Sequence, residues 1–131
     1  MDQIIPRLFI ARTDESERWK GRVINLSEKN IKQKNVSNLP IDNTSPDRKI
    51  FLEAVEKAVR EIENGNEVTL VCRQGVSRSV SVGIGAIVEE ESFSLEKAFR
   101  QMELEHPETN PSENMLRLLK SLYGSRDRES R

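Results

Sequence analysis

The stretch that decides the fold reads Glu67-Val68-Thr69-Leu70-Val71-Cys72-Arg73-Gln74-Gly75-Val76-Ser77-Arg78-Ser79 and runs on through Val80-Ser81-Val82-Gly83-Ile84-Gly85-Ala86-Ile87-Val88. Glu67 to Val71 is β-branched and apolar, the composition of a buried strand. The segment after Arg78 is apolar on most sides, which predicts a helix in the middle of the domain. Gly83 and Gly85 each cost such a helix ~1 kcal/mol against Ala, so close packing against a neighbouring element is expected there. Between strand and helix the backbone must turn sharply with its N–H groups pointing inward at the helix start. That geometry is an anion nest.

Around this unit the chain alternates strand and helix signals. Leu8-Phe9-Ile10 and Val23-Ile24-Asn25-Leu26 are apolar runs, with a helix or turn between them, and Asn38-Leu39-Pro40-Ile41 reads as a third strand near a sheet edge because Pro40 cannot donate to a ladder. Ser45-Pro46-Asp47 predicts a helix start with Ser45 as N-cap, and Phe51, Val55, Ala58 and Ile62 recur at helical spacing up to the stop at Asn64-Gly65-Asn66. Further helices are predicted over 94–105 and from a capping-box pattern at Asn110-Pro111-Ser112-Glu113, the last with Met115, Leu118, Leu119 and Leu122 on its buried face. The fold expectation is a single α/β domain over 1–123, a central, mostly parallel sheet of four to five strands flanked by helices, followed by a flexible charged tail over 124–131. In such sheets ligands bind beyond the carboxyl ends of the strands, where Cys72 falls.

Composition narrows the chemistry. The 131 residues carry 21 Lys plus Arg against 22 Asp plus Glu, a formal net charge of −1. No broad field favours nucleic acid or an anionic membrane, so anion recognition must be local. Cys72 is the one cysteine and His106 the one histidine, which argues against a disulfide framework and against a structural zinc site; no metal or cofactor is expected. No apolar run approaches the ~20 residues needed to span a bilayer. The expectation is a cytoplasmic monomer that uses no membrane.

Within the loop, Cys72 faces a cradle made by the backbone of Arg73, Gln74, Gly75, Val76 and Ser77. Arg78 adds a planar two-donor fork suited to phosphate oxygens, and Gly75 supplies the backbone freedom the turn needs. The same positive surroundings favour a thiolate at Cys72, a ready nucleophile. A lone Cys is usually a small buried hydrophobe; Cys, Gly, Arg and Ser at these spacings between a strand and a helix outweigh that prior. His106, before Pro107, reads as a surface or helix-end residue and is assigned no role.

The Cys-x5-Arg-Ser loop after an apolar strand resembles the signature of the protein tyrosine phosphatase superfamily, and Gly75-Val76-Ser77-Arg78-Ser79 resembles its dual-specificity branch. Pro6-Arg7-Leu8-Phe9-Ile10, Val23-Ile24-Asn25-Leu26-Ser27 and Leu39-Pro40-Ile41-Asp42 are similar to further segments of that branch. The resemblance implies that Cys72 attacks phosphorus to form a cysteinyl-phosphate and that Arg78 binds the equatorial oxygens. It further implies that Ser79 stabilises the departing thiolate and that Asp42 serves as general acid and then base. Asp47 is a second carboxylate only five residues on, with a competing role at a helix start, and Asp42 on its own residues reads equally as a turn residue.

The chain departs from the family at Val71, where a His usually precedes the nucleophile, so a polar group that orients the loop is missing at that place. The substrate class implied is a phosphoprotein, phosphotyrosine and also phosphoserine or phosphothreonine. The alternatives are a phosphate-binding module with little turnover, and a lipid or RNA 5'-phosphatase of the same superfamily.

Overall fold

The computed structural model describes residues 1–129, with side chains through residue 124. Five strands, β1 (Asp2–Ile5), β2 (Leu8–Arg12), β3 (Arg22–Asn25), β4 (Val36–Asn38) and β5 (Val68–Cys72), form one sheet in the order β1-β2-β5-β3-β4. The β1–β2 pair is antiparallel and the other three pairings are parallel. A 3-10 segment (Thr13–Arg18) and four helices, α1 (Arg48–Glu63), α2 (Arg78–Glu91), α3 (Leu95–Glu105) and α4 (Glu113–Glu129), complete the domain. The expected α/β architecture with a mostly parallel sheet is the one that forms.

β5 lies at the centre of the sheet and every one of its residues is buried. Its alternation splits the two faces: Val68, Leu70 and Cys72 point into the main core with α1 and α2, while Val71 packs with Ala11 and Val23 on the other face, under Met1, Trp19 and Val36. α2 is the buried helix, with every residue from Ser79 to Val88 inside, and it is wedged among α1, α3, α4 and the sheet.

Its glycines are sites of close approach. A Cβ on Gly85 would lie 2.9 Å from both Tyr123 Oη and Val55 Cγ2, and one on Gly83 would lie 2.6 Å from Met102 Cε.

Several local expectations shift. β1 was not foreseen; Asp2–Ile5 folds back on β2 through Pro6-Arg7, with Arg7 at φ 71°. The edge strand is Val36–Asn38, not Asn38–Ile41, because β3 pairs Val23 with Val36 and Asn25 with Asn38. Beyond it Leu39 N and Ile41 N still donate to Asn25 O and Leu26 O, and the Ile41 side chain enters the core.

Helix α1 is capped by Asp47, not Ser45: the Asp47 carboxylate accepts from the N–H groups of Lys49 and Ile50, and Pro46 stands before the cap. At α4 the capping-box pattern does not form; Ser112 Oγ accepts from Met115 N, while Asn110 N donates to Val76 O. Met115, Leu119 and Tyr123 are its buried residues, with Leu118 and Leu122 half-buried beside them. Helix α4 also passes through Gly124 to Glu129 without a break, so the start of the expected tail is helical; residues 130 and 131 of that tail lie outside the described residues.

Because Val55 is stiff at χ1 and Tyr123 is buried, neither neighbour of Gly85 yields easily. Gly85→Ala is therefore expected to destabilise the fold by about 1–3 kcal/mol, the usual cost of overpacking, despite Ala's better helix propensity, and urea unfolding of the two proteins measures it.

Candidate active site

The C-terminal end of β5 delivers Cys72 to the base of a cleft of ≈260 Å³ lined by Glu28, Asn43, Cys72, Arg73, Gln74, Val76, Ser77 and Arg78. Cys72 is 2% exposed and unpaired as a thiol. Its Sγ lies 3.1 Å from Ser79 Oγ and accepts the Ser79 N–H at 3.4 Å. The structure thus brings Cys72, Arg73, Gln74, Val76, Ser77, Arg78 and Ser79 together around one point, at the N-terminus of the 14-residue helix α2.

Ser77 is the N-cap of α2, yet its side chain makes no cap hydrogen bond. Its hydroxyl donates instead to Asn43 Oδ1 at 2.6 Å and accepts from Ser112 N at 2.9 Å. No side chain caps the first turn of α2, and of its N–H groups that of Ser79 is engaged by Cys72 Sγ. Gly75 sits at φ 67°, where a Cβ would be strained and would also meet Arg12 Cγ at 3.2 Å, so the loop requires glycine there.

Arg78 is nearly buried, with 14% of its side chain exposed, and its Nη1 donates to Glu28 Oε2 at 2.8 Å. Arg73 reaches the same carboxylate more loosely, at 3.9 Å. The Arg78 hydrogen bond and charge hold the Glu28 carboxyl below the usual carboxylate range. A carboxylate thus engages one guanidinium nitrogen of Arg78. Glu28, Asn43 and Ser112 were not foreseen as site residues; each acts through a tertiary contact that no local motif announces.

Asp42 lies on the turn above the cleft and does not line it. Its Oδ1 accepts from Thr44 N at 2.9 Å, Thr44 Oγ1 at 2.8 Å and Ser45 N at 3.3 Å. The bonds from Thr44, then that from Ser45, pull its carboxyl below the usual range, and Arg78 adds to the same effect. Asp47 is committed to capping α1.

His106, read as a helix-end residue, is indeed the C-cap of α3, but it is buried rather than exposed. Its Nε2 meets Gly75 O at 2.6 Å, and its Nδ1 meets Asp2 Oδ2 at 2.6 Å. The sequence signal for it was absent, since β1, which supplies Asp2, was itself not read.

No family model matches the sequence. Over 59 residues the chain is 39% identical to the protein 123R of Invertebrate iridescent virus 6, which is named for a tyrosine phosphatase; the stretch is 44% of this chain and 42% of the viral protein. The whole fold superposes on human DUSP28 with a TM-score of 0.85 and 15% identity, covering 98% of this chain and 99% of that one. It superposes on Tk-PTP, in a structure of its active form, with a TM-score of 0.79 and 23% identity, covering 92% and 93%. At these identities what is shared is the fold.

The ion pair at the cleft leads to a direct measurement. Glu28→Gln removes an exposed negative charge from the Arg78 guanidinium without changing side-chain size. Inorganic phosphate is expected to bind roughly two- to five-fold more tightly, the range of an exposed ion pair, and isothermal titration calorimetry of both proteins reads it.

Proposed function

We propose that this chain, which has the fold of the protein tyrosine phosphatase superfamily in its dual-specificity branch, is a cysteine-dependent phosphatase acting on phosphotyrosine and also on phosphoserine or phosphothreonine monoesters. The observation that carries the reading is the Cys72 sulfur at the base of the cleft, with Ser79 Oγ 3.1 Å away and Arg78 on the cleft wall. The open character of the cleft and the small size of the domain support broad substrate choice.

In this reading the Cys72 thiolate attacks phosphorus, forming the P–S bond as the P–O ester bond breaks. Arg78 leaves Glu28 and takes two equatorial oxygens with its fork, while the loop N–H groups hold the charge that spreads over the phosphoryl group. Asp42 gives its proton to the departing oxygen. Water then attacks the cysteinyl-phosphate, loses a proton to the Asp42 carboxylate, and the P–S bond breaks with the electrons on sulfur. Ser79, whose N–H already donates to Sγ, meets the leaving thiolate with its hydroxyl as well. Arg73 and Gln74, on the cleft rim, face what flanks the phosphate.

A second reading, a phosphate-binding module with little turnover, draws on two observations. Val71 supplies no polar group to the loop, its side chain being buried on the opposite face of the sheet from Cys72. Asp42 is held ionised by three hydrogen bonds, which opposes a general acid.

Hydrolysis of a small aryl phosphate, with vanadate as competitor and EDTA present, decides between the two. Cys72→Ser is expected to abolish turnover and to keep oxyanion binding, because the N–H cradle and Arg78 are untouched; hydrolysis at the unaltered rate would sink the mechanism.

Asp42→Asn is expected to lower kcat by about 10²–10⁴-fold and to flatten the alkaline limb of the pH profile. Thr44→Val removes one donor to the Asp42 carboxylate, so the ionised form loses support and the carboxyl keeps its proton to higher pH. The descending limb of kcat should move upward in pH. A downward shift, or the loss appearing with Asp47→Asn instead, would remove Asp42 from the acid role.

A further inference from the structure

The peptide between Gly75 and Val76 is the one in the cradle that follows a glycine. Turning this peptide changes ψ of Gly75 and φ of Val76, and Gly75, at φ 67° and without a Cβ, sets little steric barrier on its ψ. The consequence of rotation is large. A trans peptide is planar, and its C=O and N–H point in opposite directions. With the Gly75 carbonyl turned outward, the Val76 N–H faces the cleft; with the peptide reversed, a carbonyl oxygen would face a bound anion. Val76 lines the cleft and Gly75 does not, in keeping with the first arrangement.

What holds the carbonyl outward is a buried side chain from a distant element. His106 Nε2 donates to Gly75 O at 2.6 Å across 31 residues of sequence, and a carbonyl can only accept. Asp2 Oδ2, from β1, meets Nδ1 at 2.6 Å and fixes the ring's orientation, with Glu108 Oε2 4.0 Å away on the same side. The next peptide is pinned in the same manner, by Asn110 N on Val76 O at 2.8 Å. Both tethers come from the connection between α3 and α4.

We propose that His106 is a positioning residue of the phosphate loop: it locks the Gly75–Val76 peptide with the Val76 N–H toward the anion, supplying from the α3–α4 connection the polar support that Val71 does not provide. It touches neither substrate nor nucleophile and acts through the carbonyl alone. The inference rests on the loop being a phosphate site, but the lock itself exists in the free protein and is measurable there.

Two substitutions separate the ring's two bonds. His106→Gln places an amide N–H at the distance of Nε2 and keeps the bond to Gly75; His106→Asn places one near Nδ1 and keeps only the side facing Asp2. His106→Asn and His106→Ala are expected to weaken tungstate binding roughly ten- to hundred-fold, the range for hydrogen bonds engaged with a charged partner, and to lower kcat/KM for an aryl phosphate in step. His106→Gln should stay within about three-fold of the unaltered protein on the same scale.

In ligand-free protein the Val76 amide coupling to its Hα, which reports φ, should move in the Asn and Ala variants and hold in the Gln variant. If Asn and Gln behave alike, or Ala binds tungstate as the unaltered protein does with the Val76 coupling unmoved, the lock is wrong. If the unaltered protein hydrolyses no aryl phosphate while the coupling follows the predicted pattern, the lock stands and the phosphatase reading falls.

Discussion

Everything at this site depends on the direction in which a few consecutive peptide units point. A strand that ends in Cys72 and a helix that begins at Arg78 leave the backbone between them to form a concave set of donors, and N–H groups can face inward only if their partner carbonyls face out. The fold supplies acceptors and donors on the outside of that ring. Asn43 and Ser112 hold the Ser77 hydroxyl, Asn110 holds the Val76 carbonyl, and His106 holds Gly75. The sheet contributes rigidity, since β5 is paired on both edges, by β2 and β3. The cleft is thus built as a ring under restraint from two separate stretches of chain, the turn at Asn43 and the α3–α4 connection.

Strand alternation explains why position 71 plays so little part in this. Cys72 points into the helical side of the sheet and Val71 to the other, where a small apolar cluster surrounds it. A side chain there influences the loop only through the backbone or by reaching around the strand end. With an aliphatic residue in that cluster, the polar restraints come from the helical connections instead.

Much of this was legible in the sequence, for identifiable reasons. The β5–loop–α2 unit announces itself because an apolar β-branched run, a glycine and a buried helix are contiguous, so local pattern and tertiary role coincide. Helices α1 and α3 were read from their periodicity, although Ser94, taken as the first residue of α3, is its N-cap and accepts from Lys97 N. What was not legible depends on residues far apart. Asp2–Ile5 is too short to show a period and becomes a strand by pairing with β2. Asp47 is the cap because α1 starts at Arg48, which leaves Ser45 two residues short of the cap position, in the turn that Asp42 organises. His106, Glu28 and Asn43 join the site across separations of 31 to 50 residues, and a single sequence records no such pairing. Arg78, by contrast, was readable as a neighbour of Cys72 from its spacing, and it lines the same cleft, though its partner Glu28 was not.

The tethers from the α3–α4 connection also set an order of events for the chain as it is made. Cys72 and its strand emerge well before residues 106–112, so the loop is synthesised ahead of the groups that shape it. Until the last two helices dock, the Gly75 carbonyl lacks the His106 partner that holds it, and the nascent domain carries Cys72 in a loop whose tethers are not yet made. The same dependence runs in reverse on warming or in mild denaturant. Local opening of the C-terminal helices disorders the loop while the sheet persists, so anion affinity is lost before the bulk of the secondary structure. Conversely, an oxyanion seated in the loop stabilises the docked helices by mass action, and hydrogen exchange in α3 and α4 slows in proportion to how much of the cleft is occupied.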